Sequence, residues 1–522
     1  MAFTGTLLPY QTEAVEAMVD KKKMLVAYDL GLGKTVLTIA ALESLLSGLG
    51  SAREPGIVIC LSSLKYQWAE QIRRFTDAGN PLVIDGPPKK RAQQYQDALA
   101  LKYSHIILNY EQVVNDWETV QLLPRGFIVC DEATAIKSFR SKRSKYVKKL
   151  DSSIKFALTG TPVENGKPEE LYSIMQFVNP KILGRFDLFD KTFIIRNHFG
   201  GVERYKNIPT LNKTLSKACV RKKQDDPDVA PYLPAVRFGE PIQVPFDAAS
   251  SELYRKISYE LLADLDEAVE SFGSSFDLFS HYGVASDRGG PMDALRGKIM
   301  SKLTCLRMLC DHPDLIRESA GSLTGSKYAQ ELIKSGSLDA AKKSNKLEVL
   351  KEYVDNFLSE YDGNKVVIFT SYVHMVDYIL DAVTALGYSG EKYTGQMNAK
   401  NKEAAKVKFQ TDSTVRVLVS SDAGGYGVDL PQANLLINYD IPWNAGLALQ
   451  RNGRIRRASS TWGSIIIQNI VMANSIEERQ HDMLAQKLSI ASAIVDGEGI
   501  DEEGSISLTV GSLRQFLSLK EV

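Results

Sequence analysis

Short apolar runs alternate with amphipathic stretches through the first 160 residues. KMLVAYD (23–29), GIVICLS (56–62), HIILNY (105–110), FIVCDE (127–132) and FALTG (156–160) are near-continuous and rich in β-branched residues. Such runs, separated by helical patterns, read as strands of a buried parallel sheet with crossover helices. From about 166 to 235 the pattern turns helical and irregular, ending in QDDPDVAPYLP (224–234). A lone strand pattern, VRFGEPIQVPF (236–246), follows. Residues 250–345 then read as mostly helical, broken by SFGSS (271–275), SDRGG (286–290) and GSLTGS (321–326). Strand patterns return in KVVIFTSY (365–372), VRVLVSS (415–421), NLLINYD (434–440) and SIIIQNI (464–470). The expected fold is α/β, with two doubly wound lobes and a helical block between them. We expect a first lobe over 1–165, its helical excursion over 166–235, a connecting strand and helical insertion over 236–345, and a second lobe over 346–495. The acidic linker DGEGIDEEG (496–504) and a short helical pattern, SLRQFLSLK (512–520), would form the tail.

Composition narrows the function classes. The chain has 522 residues, 44% hydrophobic and 24% charged, which excludes disordered and collagen-like classes. Its 63 Lys and Arg balance 63 Asp and Glu, so a polyanionic partner must be held by a local groove rather than by overall charge. Five scattered cysteines (60, 130, 219, 305, 310) suit a reducing, cytoplasmic compartment. MAFTGTLLPY lacks the basic and apolar regions of a signal peptide, and no apolar run approaches the ~18 residues of a membrane span. No membrane partner is expected.

The candidate chemistry begins at DLGLGKT (Asp29 to Thr35), which follows a strand pattern and opens a helical one, the context of a phosphate-binding loop. Gly31 and Gly33 let backbone amides turn toward phosphate oxygens. Lys34 supplies charge to the β- and γ-phosphates of ATP, and the Thr35 hydroxyl can ligate magnesium. Asp29 and Leu32 complete the loop. Tyr28 stands where the full motif has glycine. At the end of another strand pattern lies DEAT, in which Asp131 would hold magnesium through water and Glu132 would orient the attacking water. A DE pair after a strand can be a solvated strand end; its pairing with the phosphate loop favours chemistry.

Gln450, Arg454 and Arg457 in QRNGRIRR (450–457) are spaced to share one helix face. Arginines so placed could neutralise a γ-phosphate, or form a solvated basic helix. KSFRSKRSKYVKK (137–149) carries seven Lys and Arg and no acid; it is a DNA path, a nuclear localisation signal or a solvated helix. Trp68 and Trp443 could stack on bases, but their patterns favour packing. Cys305, Cys310 and His312 lack a second ligand pair, so core cysteines are expected rather than a metal site.

With these residues in view, the chain over about 5–495 resembles superfamily-two helicases, and within them the Swi/Snf-type ATPases. LLPYQTEAV (7–15), CLSSLKYQWAEQIRRF (60–75), TGTPVENGKPEELYSIMQFVNP (159–180), GGYGVDLPQANLLINYDIPWN (424–444) and QRNGRIRR are similar to motifs of that superfamily. LRMLCDHPDL (306–315) and SNKLEVL (344–350) are similar to segments found in the Swi/Snf group and not in helicases generally. The resemblance implies two RecA-like lobes with a Swi/Snf-type helical insertion, ATP in the cleft between lobes, and duplex DNA gripped by its backbone without sequence reading. It implies that Gln11 reads adenine and that Gly427, Asp429 and Gln450 contribute to the ATP site. Arg454 and Arg457 would serve catalysis on lobe closure. DNA-contact candidates are Lys65, Lys137, Arg140, Thr159, Ser371 and Ser421. Thr134 in place of histidine or glutamine, RRASS (456–460) and Asp429 in place of a frequent asparagine depart from the family pattern. With no chromatin-reading module, the expectation is a minimal bacterial or phage motor, translocating on duplex DNA to displace protein or strands, with the tail open to a protein partner. The rivals are a strand-separating or branch-migrating helicase, a nucleotide-switched DNA clamp and an RNA-dependent ATPase.

Overall fold

A computed structural model describes residues 2–47, 54–77, 79–196, 202–272, 290–322, 326–422, 428–497, 503–504 and 510–519. The chain forms two compact units: 1–195 with 203–234 and 487–504, and 196–202 with 235–486 and 505–522. Residues 487–495, expected with the second lobe, thus belong to the first unit.

The first unit holds a wholly parallel sheet of β1 (Lys23–Tyr28), β2 (Gly56–Cys60), β3 (Pro81–Val83), β4 (His105–Asn109), β5 (Ile128–Asp131), β6 (Lys155–Leu158) and β7 (Cys219–Lys222). Their spatial order is β3-β4-β2-β5-β6-β1-β7. Five of these match the apolar runs. The two edge strands β3 and β7 do not, because an edge strand needs no continuous apolar run. Helix α1 (Pro9–Lys21) leads into β1, and the crossover helices include α2 (Lys34–Leu46) and α3 (Lys65–Phe75); α4 (Lys142–Lys149), α5 (Pro168–Val178) and α6 (Ile208–Leu215) follow. Proline at the first turn of α1 and of α5 suits helix starts, where its missing N–H is no loss. The order places β5, β6 and β1 side by side, so their carboxyl ends converge, the usual ligand position in such sheets.

The second unit holds another parallel sheet, of β8 (Ala235–Phe238), β9 (Ile242–Val244), β10 (Val366–Thr370), β11 (Ser389–Tyr393), β12 (Val415–Ser421), β13 (Leu435–Asn438) and β14 (Ser464–Met472). The order is β8-β14-β13-β10-β12-β11, with β9 also on β14. The single strand expected over 236–246 is therefore two strands laid end to end on β14. The break falls at Gly239, Glu240 and Pro241, where Gln468 Nε2 donates to the Glu240 carbonyl (2.7 Å). The insertion helices α7 (Ala248–Phe272) and α8 (Pro291–Asp311) bury Ile257, Leu261, Ile299, Leu303 and Leu306 in the same core as Val366 and Ile368 of β10. The helical block thus shares the core of the second unit.

That core contains an ion cluster. Lys346, at the start of α9 (Asn345–Glu360), is fully buried, with Nζ 3.0 Å from Asp311 Oδ1 and 2.7 Å from Oε1 of Glu477. Tyr439 donates its hydroxyl to the Asp311 carbonyl (2.9 Å). Burial opposes the lysine's charge, but Glu477 and Asp311 more than reverse this, holding the ammonium above its ordinary range. Two segments singled out in the sequence, LRMLCDHPDL and SNKLEVL, therefore meet at one buried pair. Cys305 and Cys310 are buried and unpaired, and no group of metal-ligating side chains occurs among the described residues. No helix among them is long and apolar enough to cross a membrane.

Candidate active site

Asp29 to Gly33 form the turn between β1 and α2. Gly33 has φ +80°, and a Cβ there would lie 2.4 Å from Gln11 Nε2, so only glycine fits. Gln11 bridges α1 to this turn: its Nε2 donates to the Leu32 carbonyl (3.1 Å), and its Oε1 accepts from Leu8 N (2.9 Å). Lys34 Nζ donates to the carbonyls of Tyr28 (2.7 Å) and Asp29 (3.0 Å). The ammonium thus sits inside the loop at the start of α2, where helix amides favour an anion. Tyr28 donates its hydroxyl to the Tyr10 carbonyl (2.8 Å), so the departure from glycine fastens β1 to α1.

At the end of β5, Asp131 is buried. Trp68 Nε1 of α3 donates to its Oδ2 (2.7 Å), and Glu132 N donates to its Oδ1 (3.0 Å). Burial raises the Asp131 pKa, with the Trp68 donor and the Lys34 charge working in the opposite direction. A buried carboxylate facing a phosphate loop suits a hard divalent cation, and Asp131 with the Thr35 hydroxyl in the first turn of α2 offers the oxygen donors that magnesium takes. Glu132 has φ 49°, a left-handed conformation costly for a side chain with a Cβ. Tyr110 anchors this turn by donating its hydroxyl to the Asp131 carbonyl (2.7 Å), and Ala135 N donates to the Glu132 carbonyl (2.9 Å).

Thr159, after β6, is fully buried beside β1, its N–H donating to the Val26 carbonyl (3.1 Å). The loop beyond it is clamped by Glu170 of α5, which accepts from Glu164 N (2.8 Å), Asn165 N (3.0 Å) and Asn165 Nδ2 (2.6 Å). Lys137 pairs with Glu164 and lies 3.8 Å from Glu170. Lys65 is buried, its Nζ donating to the Ile84 carbonyl (2.8 Å) and to Asp85 Oδ1 (2.7 Å). Three of the expected DNA contacts in this unit, Lys65, Lys137 and Thr159, are therefore engaged inside it, because each cation has an internal acid and the threonine lies in the core. Arg140 is exposed, as are Lys142, Lys145 and Lys149 of α4.

In the second unit, the expected single helix face of Gln450, Arg454 and Arg457 is not formed. Helix α10 (Ala445–Asn452) stops at Gly453, and Arg454 N continues as a turn by donating to the Arg451 carbonyl (3.0 Å). Gln450 is buried in the last turn. Arg454 is buried near the Val428 carbonyl, and Arg457 pairs through Nε with Asp429 Oδ1 (2.7 Å). Gly427 lies outside the described residues. Arg451, which the spacing argument passed over, is buried with Nε on Asp422 Oδ1 (2.7 Å) and Nη2 on Asp440 Oδ1 (3.1 Å). Asp440 also accepts from Ser371 N and Oγ, both at 2.6 Å. Burial alone would raise the Asp440 pKa; Arg451 and the serine donors bring it down to about 2. Ser371 is thus part of this pair, and Ser421 is buried. Trp443 faces the Arg307 guanidinium, 5.7 Å from its ring centroid.

Tyr110, Arg221 and Arg451 carry no sequence signal of their own, and the two readings of Trp68, base stacking and packing, both lack its bond to Asp131.

Residues 10–315 match the family model of the SNF2-related domain, and residues 345–459 match the helicase conserved C-terminal domain. The chain is 25% identical to the DNA repair protein rhp54 of Schizosaccharomyces pombe, over 99% of this chain and 61% of that protein. It is 26% identical to the putative ATP-dependent helicase/translocase YwqA of Bacillus subtilis, over 95% of this chain and 50% of that one. The crystal structure of the Pyrococcus furiosus Hef helicase domain has the same fold, with a TM-score of 0.51 at 18% identity, covering 91% of this chain and 97% of that one. The Sulfolobus solfataricus SWI2/SNF2 ATPase core in complex with dsDNA aligns with a TM-score of 0.41 at 24% identity, covering 95% and 94% of the two chains. The chain spans about half the length of the curated relatives it matches.

Proposed function

This chain belongs to the SNF2-related family, and on that premise we propose that it is an ATP-hydrolysing motor, stimulated by duplex DNA, that moves along the duplex and displaces bound protein or strands. The observation that carries this reading is the convergence of Lys34, Asp131, Glu132 and Thr159 at the carboxyl ends of three adjacent strands. In this reading the β- and γ-phosphates replace the Tyr28 and Asp29 carbonyls as partners of Lys34. Thr35 and Asp131 would hold magnesium, which would supply positive charge against the phosphate oxygens. Gln11 sits where adenine is read. Glu132 orients water for attack on the γ-phosphorus as the bond to the bridging oxygen breaks, releasing ADP and phosphate. Arg454 and Arg457 neutralise charge that develops in that transition state, and Gly427, Asp429 and Gln450 contribute to the same ATP site. Duplex DNA is held by exposed cations, Arg140 and the outward lysines of α4, through its phosphates. Five unpaired cysteines support a reducing, cytoplasmic setting.

The test is ATP hydrolysis with linear duplex, with single strands and without DNA. Lys34→Ala abolishes turnover, and Glu132→Gln retains ATP binding while turnover is lost. A Glu132→Gln variant that hydrolyses ATP at the parent rate, or a parent chain that duplex does not stimulate, overturns the reading.

A further inference from the structure

The C-terminal stretch of the first unit reaches the phosphate loop through one arginine. Helix α11 (Ile476–Val495) ends beside α6, where Asn212 Nδ2 donates to the carbonyls of Ile494 (3.1 Å) and Val495 (2.9 Å) and so caps the helix. Gly497 turns the chain at φ +73°, against the Asn212 side chain. Asp496, between them, is fixed by Ser492 Oγ on its Oδ2 (2.9 Å), and its Oδ1 accepts from Arg221 Nε (2.6 Å). Arg221 lies on β7, beside β1. Its Nη1 donates to Asp29 Oδ1 (2.5 Å) and to the Ala27 carbonyl (2.8 Å). The other Asp29 oxygen accepts from Gln224 N (3.0 Å), and Gln224 Nε2 donates to the Leu30 carbonyl (2.7 Å). The Asp29 carbonyl in turn accepts from Lys34 Nζ. An unbroken chain of polar contacts therefore runs from Asp496 through Arg221 and Asp29 to the phosphate-loop lysine.

Two further facts give this chain weight. The side chains of Arg221, Asp29 and Asp496 are only 22%, 26% and 8% exposed, so their pairs are shielded far more than surface ion pairs. A cavity of about 320 Å³, lined in part by Asn212, Cys219, Lys223 and Asp226, also adjoins Arg221 and Asp496. Packing alone does not confine the guanidinium there; the two carboxylates do.

We infer that Arg221 is a positioning residue of the ATP site and that Asp496 sets it, so that residues 487–497 are part of the phosphate loop's framework. This deepens, and rests on, the ATP-site reading above. The guanidinium's fork takes one carboxylate on Nε and the other on Nη1, a geometry lysine lacks. Holding Asp29 holds the first turn of the loop in the shape that receives phosphate, which acts equally on bound ATP and on the transition state. Loss of the clamp therefore raises KM and leaves kcat nearly unchanged.

The experiment uses the full chain. ATP binding is measured by titration calorimetry in a Glu132→Gln background, and KM and kcat are measured without that substitution. Arg221→Ala weakens ATP binding about tenfold, Asp496→Asn weakens it several-fold, and the double variant is no weaker than Arg221→Ala alone, because both break one chain. Asp496→Glu restores most of the binding. Four outcomes overturn the inference: parent affinity in Asp496→Asn, additive losses in the double variant, a lowered melting temperature with unchanged KM, or a fall in kcat alone. Failure of the ATP-site reading looks different, since the Glu132→Gln background alone would then bind no ATP.

Discussion

At the scale of single residues, the structure joins a tryptophan that reads as packing to the carboxylate proposed to hold magnesium. Trp68 is 2% exposed, and its single N–H is spent on the carboxylate proposed to hold magnesium. Trp68→Phe keeps a ring in the pocket and removes only that donor. Partners that orient a metal ligand are commonly worth 10–100-fold in metal affinity, so the magnesium concentration for half-maximal ATPase rises roughly tenfold. An unchanged magnesium titration would show that the bond serves packing alone. Lys148 of α4 makes a prediction of a different kind. Burial lowers its pKa from 10.5 to about 8, with Nζ donating to Ser173 Oγ (2.6 Å). Between these values the unfolded chain keeps a proton that the folded chain has released, so stability rises as pH rises through that window. Below pH 8 the cost of the buried charge is felt in full. Lys148→Met therefore raises the melting temperature at pH 7, and the gain shrinks toward pH 10; a lower melting temperature at pH 7 would refute the burial argument. Of the proposed ATP site, the candidates Gln11, Lys34, Asp131 and Glu132 lie within short motifs, which is what makes them readable in the sequence. Arg221 was not, because it sits on a polar strand far along the chain and acquires meaning only when β7 pairs with β1.

At the scale of elements, the strands buried on both faces were legible because each is a continuous apolar run, as in Ile128–Cys130 within β5. The polar edges were not. Ser389–Tyr393 reads SGEKY, and Cys219–Lys222 reads CVRK; each has one neighbouring strand and needs no apolar run. The spacing of Gln450, Arg454 and Arg457 predicted a helix face, but spacing does not register the stop at Gly453. The two segments around Asp311 and Lys346 were legible only as a resemblance, since their physical content is a buried ion cluster assembled from α8, α9 and α11. Removing one member of a buried pair strands the other charges, commonly at a cost of about 3–5 kcal/mol. Lys346→Met accordingly shifts the urea transition of the second unit by that amount, read by fluorescence, and leaves ATP affinity measured below the transition unchanged. A shift under about 1 kcal/mol would mean that water or rearrangement compensates Asp311 and Glu477.

At the scale of the whole molecule, the question is what the proposed motor does to duplex DNA. Strand separation needs an element that splits the duplex. Helices α7 and α8 of the insertion bury their apolar faces in the core of the second unit, which speaks against those faces as a wedge. Arg140, Lys142, Lys145 and Lys149 of the first unit are exposed and suit phosphates. Substituting Arg140, Lys142 and Lys145 by alanine should weaken duplex binding about equally across sequences and flatten its salt dependence by roughly one unit per lost contact. Lys137→Ala should instead loosen the loop held by Glu164 and Glu170, with little change in that slope. In the proposed function, contacts to the backbone alone let the chain move without opening the base pairs. With ATP, the chain should therefore strip a third strand from a triplex while a forked duplex stays paired. The two substrates are run side by side, with Glu132→Gln as the control for turnover. Fork unwinding without triplex displacement would replace the translocase with a strand-separating helicase, and displacement by Glu132→Gln at the parent rate would replace it with a nucleotide-switched clamp.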